Sequence, residues 1–233
     1  MRKFRKIIIR SIAYLPVTAT LRTALYRKIL GYNIGPYSKI KYGAILDCDY
    51  VSIGKYSTLE SFSKVNSLNE FVIGDDCLID KHAVIQGPHQ YLWGESKPKF
   101  IAGNQVAVMA YWLVDVTRKI AIGNNVLFAG QYGQIWSHSF DLNNNRLDFQ
   151  ISIGNNIYIG SGSKICGDVT ICDNVVISLG SIITSSIVES GVYTNEKSLL
   201  KVGNVHDFKE IYNNGYKINE KIPRANQYTI YLK

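Results

Sequence analysis

A six-residue hydrophobic period dominates the second half of the chain. Between Ile153 and Val188 an isoleucine returns at every sixth position, which fits neither an α-helix nor a lone strand. These isoleucines stand at positions 153, 159, 165, 171, 177 and 183. A small residue often follows each one, and a small or β-branched residue stands four places later, which is typical of a parallel β-helix. We expect three such hexads, about 18 residues, to close one triangular coil.

The same period begins near residue 34 but is less regular there. Its leading apolar residues are Ile34, Ile40, Leu46, Ile53, Leu59, Val65, Ile73, Ile79 and Ile85. Successive sets of three are spaced by a residue or two more than three hexads require, which indicates loose corners. The period lapses after Gly87 and returns at Ile122. The apolar segment 101–119 shows no clean hexads, so the pattern leaves open whether it is an irregular coil or an excursion.

Two segments are expected to leave the coil as loops. Residues 88–100 contain two prolines among polar and aromatic residues, and residues 139–151 are polar and rich in asparagine. After the last hexads the repeat stops, and residues 205–213 read as a short helix within an extended basic tail. The pattern predicts an all-β solenoid over 32–188, with a helical segment over 1–31 and a C-terminal helix and tail over 189–233.

The first segment, residues 1–31, combines a short apolar run with many Lys and Arg residues. The run is too short to span a bilayer, and no convincing signal-peptide cleavage site follows it. A helix broken near Pro16 would either cap the open end of the coil or lie on an anionic membrane surface. Capping is favoured, because an open solenoid end exposes strand edges and core. Peripheral membrane contact by this segment is the alternative.

Charge and cysteine content narrow the partners and the compartment. The 233-residue chain carries a net charge of +8, which either reflects an ordinary solvated surface or suits an anionic partner such as a phosphorylated cofactor or an acidic glycan. No recognition motif points to nucleic acid, and beyond the first segment the basic residues are dispersed. The four cysteines lack zinc or redox spacing, so we expect no metal and a cytoplasmic protein, at the inner face of the membrane if the first segment binds there.

His138 is the candidate for chemistry, because function in a solenoid is expected where loops leave the coil. It stands at the edge of the loop 139–151, after the sequence Ile135-Trp136-Ser137. An imidazole can remove a proton near neutral pH. Taken alone, a surface histidine on a loop is the more common interpretation, so the surrounding sequence has to decide.

The order of motifs from residue 122 to 188 resembles the hexapeptide-repeat acyltransferases. A hexad pair over 122–133 is followed by Ile-Trp-Ser-His, a loop, Ile-Gly-Asn-Asn-Ile-Tyr-Ile-Gly-Ser over 153–161 and regular hexads ending in Ser-Ile-Ile-Thr. The resemblance is to the branch of maltose, galactoside and capsular polysaccharide O-acetyltransferases. It implies a left-handed parallel β-helix, a homotrimer that holds acetyl-CoA between adjacent prisms, and acetyl transfer to a hydroxyl of a saccharide, such as a capsular or other surface polysaccharide.

The resemblance also implies roles for individual residues. His138 matches the general base that deprotonates the acceptor hydroxyl. Tyr158 stands where the family usually has a tryptophan that walls the acetyl and acceptor site. Trp136 either stacks against a sugar ring or packs under the loop. Asp141, three residues after the histidine, either orients the imidazole, binds the acceptor or makes no contact.

Coenzyme A binding is likewise implied by position in the family motif. The matching residues are Gly160, Ser161, Leu179, Gly180, Ser181 and Thr184. A strand edge with small side chains suits the pantetheine arm, which needs backbone hydrogen bonds and little bulk. Two departures stand out: Leu179 is larger than the usual alanine, and the usual Gly-Asn-Pro-Ala motif is replaced by residues 193–196. The contacts to adenine and the 3′-phosphate are therefore unassigned.

Three other functions fit the same prism. N-acetylation of an amino-sugar nucleotide would use the same fold with a different acceptor. A zinc carbonic anhydrase of the γ type needs three coordinating histidines, and the four histidines at 82, 89, 138 and 206 lack the required spacing. A solenoid scaffold without activity would account for Tyr158 at the aromatic position and for the missing Gly-Asn-Pro-Ala motif, but not for the retained histidine.

Overall fold

Short parallel strands stack into the three flat faces of a triangular coil. The computed structural model describes residues 2–88 and 97–195. Each turn of the chain adds one strand to each face, and each strand pairs in parallel with strands one coil away. The predicted all-β parallel β-helix is thereby confirmed. The helix predicted at 205–213 and most of the loop predicted at 88–100 lie outside the described residues.

The three faces are named A, B and C in the order in which the chain visits them. Face A contains β1 (Asn33–Ile34), the ends of β3 (Ile45–Ile53) and β5 (Lys64–Ile73), β8 (Lys99–Ala102), β11 (Lys119–Ile122), β16 (Ile151–Ile153) and β19 (Val169–Ile171). Face B contains β2 (Lys39–Ile40), β4 (Thr58–Leu59), β6 (Leu78–Ile79), β9 (Val106–Val108), β12 (Val126–Phe128), β17 (Ile157–Ile159), β20 (Val175–Ile177) and β22 (Gly191–Tyr193). Face C contains the beginnings of β3 and β5, then β7 (Val84–Gln86), β10 (Leu113–Asp115), β13 (Gln134–Trp136), β18 (Lys164–Cys166) and β21 (Ile182–Ile183).

The leading residues of the hexads form the core, as the pattern predicts. Ile159, Ile165 and Ile177 are completely buried, and the residues between them on each strand point outward. Each such side chain contributes about 1.5–3 kcal/mol relative to its exposed state. Stacking of like side chains from coil to coil is therefore the main source of stability in this part of the chain.

The segment 101–119, which the pattern left open, completes an ordinary coil through β8, β9 and β10. Trp112 occupies the corner position where neighbouring coils have Ala83 or Ser163, and its ring is fully buried. The next coil has Gly133 there, because a Cβ atom at that position would lie 2.2 Å from the Trp112 ring. Trp112 is thus a large residue at a position that is small in the other coils, and it interrupts the hexad pattern in segment 101–119.

The recurring Ile-Gly-Asn sequence builds a ladder of hydrogen bonds between coils. The backbone N–H of Asn124 donates to Oδ1 of Asn155 at 2.8 Å, and the backbone N–H of Asn155 donates to Oδ1 of Asp173 at 2.7 Å. A Cβ atom on Gly123 would lie 2.6 Å from the same Asn155 oxygen. Glycine is therefore required where the next coil's side chain crosses the corner.

Two helices cover the first coil, α1 (Arg2–Tyr14) and α2 (Ala19–Leu30). Ile9, Ile12 and Tyr26 are buried against the coil, and the buried guanidinium of Arg22 donates to three carbonyls of the segment between and within the helices. None of the helices in residues 2–88 and 97–195 combines the length and the apolarity needed to cross a membrane. The domain boundaries given by the sequence stay predictions.

The corner between faces C and A is the loose one. Val65 to Ile73 and Val114 to Ile122 each take eight residues, whereas hexads at the other two corners usually take six. The segment between β13 and β16 leaves the coil at this corner. It was expected to be a loop over 139–151, but it forms an antiparallel hairpin of β14 (His138–Phe140) and β15 (Arg146–Asp148).

Candidate functional site

His138 begins this hairpin at the C–A corner, directly after β13. The preceding Ser137 is fully buried, and its backbone N–H and hydroxyl both donate to the carbonyl of Asp115, at 3.2 and 2.8 Å. The carbonyl of Ser137 accepts a hydrogen bond from the N–H of Phe149, at 2.7 Å. The chain on both sides of His138 is thus anchored to the coil, so the imidazole has a defined position.

Asp115, one coil before, holds the imidazole. Its Oδ1 lies 2.8 Å from Nδ1 of His138. Burial raises the pKa of Asp115, and the adjacent imidazole and the Arg146 guanidinium oppose that rise. With Asp115 ionised, its carboxylate can only accept, and the contact then corresponds to the tautomer with the proton on Nδ1 and the lone pair on Nε2. This is the arrangement that a general base requires.

Aromatic rings contact the imidazole on two sides. The Trp136 ring centroid lies 5.7 Å from that of His138 with an interplanar angle of 69°, and the Phe140 centroid lies 5.7 Å away at 89°. The indole N–H of Trp136 donates to Gln134 Oε1 at 3.1 Å. About a fifth of the His138 side chain, 21%, stays exposed. The ring plane is therefore held by edge contacts while part of the ring faces solvent.

The second strand of the hairpin adds a charge pair next to the imidazole. Asp148 is in register with His138, and Nε of Arg146 lies 2.5 Å from Asp148 Oδ1. The charge of Arg146 lowers the pKa of Asp115 while that of Asp148 raises it. The hairpin thus brings a cation close enough to favour ionisation of the buried carboxyl.

Of the three roles that the sequence left open for Asp141, the structure does not support orientation of the imidazole, because Asp115 occupies that place. Asp141 lies in the turn of the hairpin, where its Oδ1 accepts the backbone N–H groups of Asn143 and Asn145, both at 2.8 Å. The side-chain amide of Asn145 donates to Oδ2 at 2.9 Å, and these bonds lower the pKa of Asp141. Asp141 shapes the turn, and the carboxylate that holds the histidine comes from the neighbouring coil.

Asp115 was missed in the sequence because segment 101–119 could not be placed in register. Once the coil is assigned, Asp115 stands directly opposite Trp136 in the parallel pairing of β10 and β13. Asp115 follows the apolar residues Leu113 and Val114, one coil before the candidate base. An acidic residue at such a position is the sequence signal that would have identified it.

Tyr158 lies on a different face from His138. It points outward from β17 on face B, with 43% of its surface exposed, between Leu127 and Val176 of the neighbouring coils. In a triangular coil, face B is opposite the C–A corner. Within one chain the structure therefore does not bring Tyr158 and His138 together.

The residues matched to coenzyme A binding divide between two corners. Five of them stand at the corner between faces B and C, in two successive coils, namely Gly160, Ser161, Leu179, Gly180 and Ser181. The hydroxyl of Ser161 bonds to the backbone N–H and carbonyl of Gln131, both at 3.0 Å. Thr184 follows β21 and stands at the C–A corner, two coils after His138.

Two further observations concern metal binding. Among residues 2–88 and 97–195 no cluster of three or more His, Cys, Asp or Glu side chains is placed to hold a metal ion. His82 lies at the B–C corner, where its ring stacks between those of Phe62 and Tyr111 at centroid distances of 5.6 and 5.0 Å. His82 and His138 therefore belong to different corners.

Comparison with known proteins agrees with the resemblance read from the motifs. No protein-family model matches the chain. Galactoside O-acetyltransferase of Escherichia coli K12 is 42% identical over 73 residues, which cover 29% of this chain and 36% of that enzyme. The matched region thus spans about a third of the curated relative's length. This match confirms the resemblance to the hexapeptide-repeat O-acetyltransferases.

Solved structures with the same architecture are more distant in sequence. An acetyltransferase with hexapeptide repeats from Vibrio cholerae, solved with acetyl coenzyme A, is 17% identical with a TM-score of 0.44, covering 83% of this chain and 81% of its own. A maltose O-acetyltransferase from Clostridium difficile 630 is 21% identical with a TM-score of 0.39, at the same coverage of 83% and 81%.

Proposed function

We propose that this protein transfers the acetyl group of acetyl-CoA to a hydroxyl of a saccharide, with His138 as the general base. The observation that carries the proposal is the 2.8 Å contact between Nδ1 of His138 and buried Asp115, at the corner where the hairpin leaves the coil. We infer the reaction class from the similarity to galactoside O-acetyltransferase. The pair of His138 and Asp115 would supply the base that such a reaction needs.

In this mechanism Nε2 of His138 accepts the hydroxyl proton while the acceptor oxygen attacks the thioester carbonyl carbon of acetyl-CoA. The carbon–sulfur bond breaks, and the leaving thiolate takes the proton back from the imidazolium. The products are an O-acetyl ester and free CoA. Asp115 keeps the imidazole in the tautomer with an unprotonated Nε2 and stabilises the imidazolium formed during transfer.

A homotrimer fits this assignment. His138 lies at the C–A corner, whereas Tyr158 and most residues matched to coenzyme A binding lie on face B and the B–C corner. A second copy that places its B–C corner against the C–A corner of the first would unite the two sets. Such an asymmetric contact closes into a ring when it is repeated by rotation, as in a cyclic trimer.

Charge and acceptor chemistry complete the proposal. The net charge of +8 suits the phosphates of CoA and an acidic surface polysaccharide such as a capsule. Trp136 and Phe140 flank the imidazole and offer aromatic surface to the apolar face of a sugar ring. A cytoplasmic location, where acetyl-CoA is made, belongs to the same proposal.

The test is an acetyl-transfer assay with neutral glycans, acidic glycans and an amino-sugar nucleotide as acceptors. We expect a product heavier by one acetyl group, which hydroxylamine removes because it is an ester. A hydroxylamine-resistant product on the amino sugar would instead indicate N-acetylation. A calorimetric titration with acetyl-CoA that gives no heat of binding, together with no product, would indicate a scaffold and overturn the proposal.

A further inference from the structure

The outer side of helix α1 exposes a stripe of large apolar side chains. Phe4, Ile7 and Tyr14 are 69, 62 and 47% exposed, and Leu15 after the helix is 42% exposed. At 100° per residue these positions, with Ser11 between them, fall within about a third of the helix circumference. They therefore form one continuous strip along the helix and not scattered surface residues.

This strip is not needed for capping the coil. The opposite side of α1 contributes Ile9, Ile12 and Ala13 to the buried core, and the carbonyl of Ala13 accepts the backbone N–H of Gly43 in the first coil. The helix is thus fixed to the solenoid by one face. On the other face, Tyr14 contacts the coil edge to face with Tyr42, at a ring-centroid distance of 5.9 Å. Phe4 and Ile7, toward the other end of the strip, are 69 and 62% exposed, which leaves a second function for those two residues.

The charge of the first segment indicates what kind of partner binds the apolar strip. The first 31 residues contain eight Lys and Arg residues and no Asp or Glu. Lys6 and Arg10 are exposed, lie along one edge of the strip and form no ion pair with any residue in 2–88 or 97–195. Arg5, by contrast, pairs with Asp47 and Asp49.

We propose that α1 docks on an anionic lipid bilayer with its axis parallel to the membrane surface. The apolar strip enters the boundary between headgroups and acyl chains, and Lys6 and Arg10 contact lipid phosphates. A bilayer accepts a strip of unlike aliphatic and aromatic residues without a shaped groove, and the complete lack of acidic residues suits its negative surface. The inference goes beyond the proposed function and does not depend on it.

The test uses the full chain and sedimentation with vesicles of phosphatidylcholine alone or mixed with phosphatidylglycerol. We expect binding to the mixed vesicles, weaker binding to the neutral ones and release by salt, because charge and apolar insertion act together. Phe4→Ser with Ile7→Ser, and separately Lys6→Glu with Arg10→Glu, should each reduce the bound fraction at least tenfold.

The matched control is Val188→Ser with Val192→Ser, a pair 79 and 76% exposed at the opposite end of the solenoid. This control should bind vesicles like the unaltered protein, and all variants should keep the same circular dichroism spectrum and the same transfer rate on a soluble acceptor. Absence of binding to anionic vesicles, or equal binding by the Phe4 and Ile7 variant, overturns the proposal. A change of oligomeric state in that variant would assign the strip to contact between copies and also overturn it.

Discussion

At the scale of single residues, the proposed chemistry depends on the carboxylate of Asp115, whose burial disfavours the charged form. Burial raises the pKa of Asp115, while the His138 imidazole and the Arg146 guanidinium favour its charged form. Asp115 acts through His138, so its role is to position the base and to stabilise the protonated ring.

Asp115→Asn separates this role from a purely structural one. The amide oxygen can still accept the Nδ1 hydrogen, but the negative charge that stabilises the imidazolium is lost. We expect kcat to fall about 10²-fold or more with little change in KM for acetyl-CoA.

Asp141→Asn is the control for that measurement, since Asp141 lies in the hairpin turn and bonds to Asn143 and Asn145. Its kcat and its KM for acetyl-CoA should match those of the unaltered protein. An Asp115→Asn variant with an unchanged kcat would contradict a role for Asp115 in the transfer reaction. His138 could be proposed as the base from the sequence because it stands beside a recognisable motif. Its partner Asp115 could be found only once segment 101–119 had been placed in register.

At the scale of elements, the six-residue period predicted most of the strands because each coil repeats the same corner and core positions. It failed where a coil departs from that repeat. Trp112 replaces a small corner residue, and its effect on the next coil appears at Gly133. The hairpin from His138 to Asp148 was taken for a loop, because its polar strands face solvent and lack the alternation of a buried strand.

The alternation of buried and exposed side chains on face C makes a direct prediction for one residue in β18 and one in β21. Ile165 is completely buried, whereas Ile182 points outward and is 58% exposed. Ile165→Ala should lower the free energy of unfolding by about 2–5 kcal/mol, and Ile182→Ala by less than about 0.5 kcal/mol. Chemical denaturation measures both, and equal effects would contradict the assigned orientation of face C.

At the scale of the whole molecule, the proposal requires more than one chain. One prism presents its base at the C–A corner and the matched coenzyme A residues mainly at the B–C corner, so each proposed site needs two copies. The sequence motifs named both sets of residues. They did not show that the two sets lie at different corners of the prism. Every hexad has the same pattern, so the pattern does not indicate at which corner a given hexad ends.

Mixing two inactive variants tests this arrangement. His138→Ala removes the base, and Leu179→Trp fills the matched coenzyme A corner at a position 69% exposed, where a larger side chain does not disturb the core. When the two are unfolded and reassembled together, random assortment leaves both sets intact at about a quarter of the interfaces in a cyclic oligomer. Activity should therefore reappear. Mixtures as inactive as either variant alone would contradict a site shared between copies.

The most direct test of the central claim compares the unaltered protein with His138→Ala in two measurements on the same preparations. We expect the same heat of acetyl-CoA binding in both, because the substitution leaves the residues matched to coenzyme A binding intact, and a transfer rate at least about 10²-fold lower in the variant. Equal transfer rates would contradict the assignment of His138 as the general base.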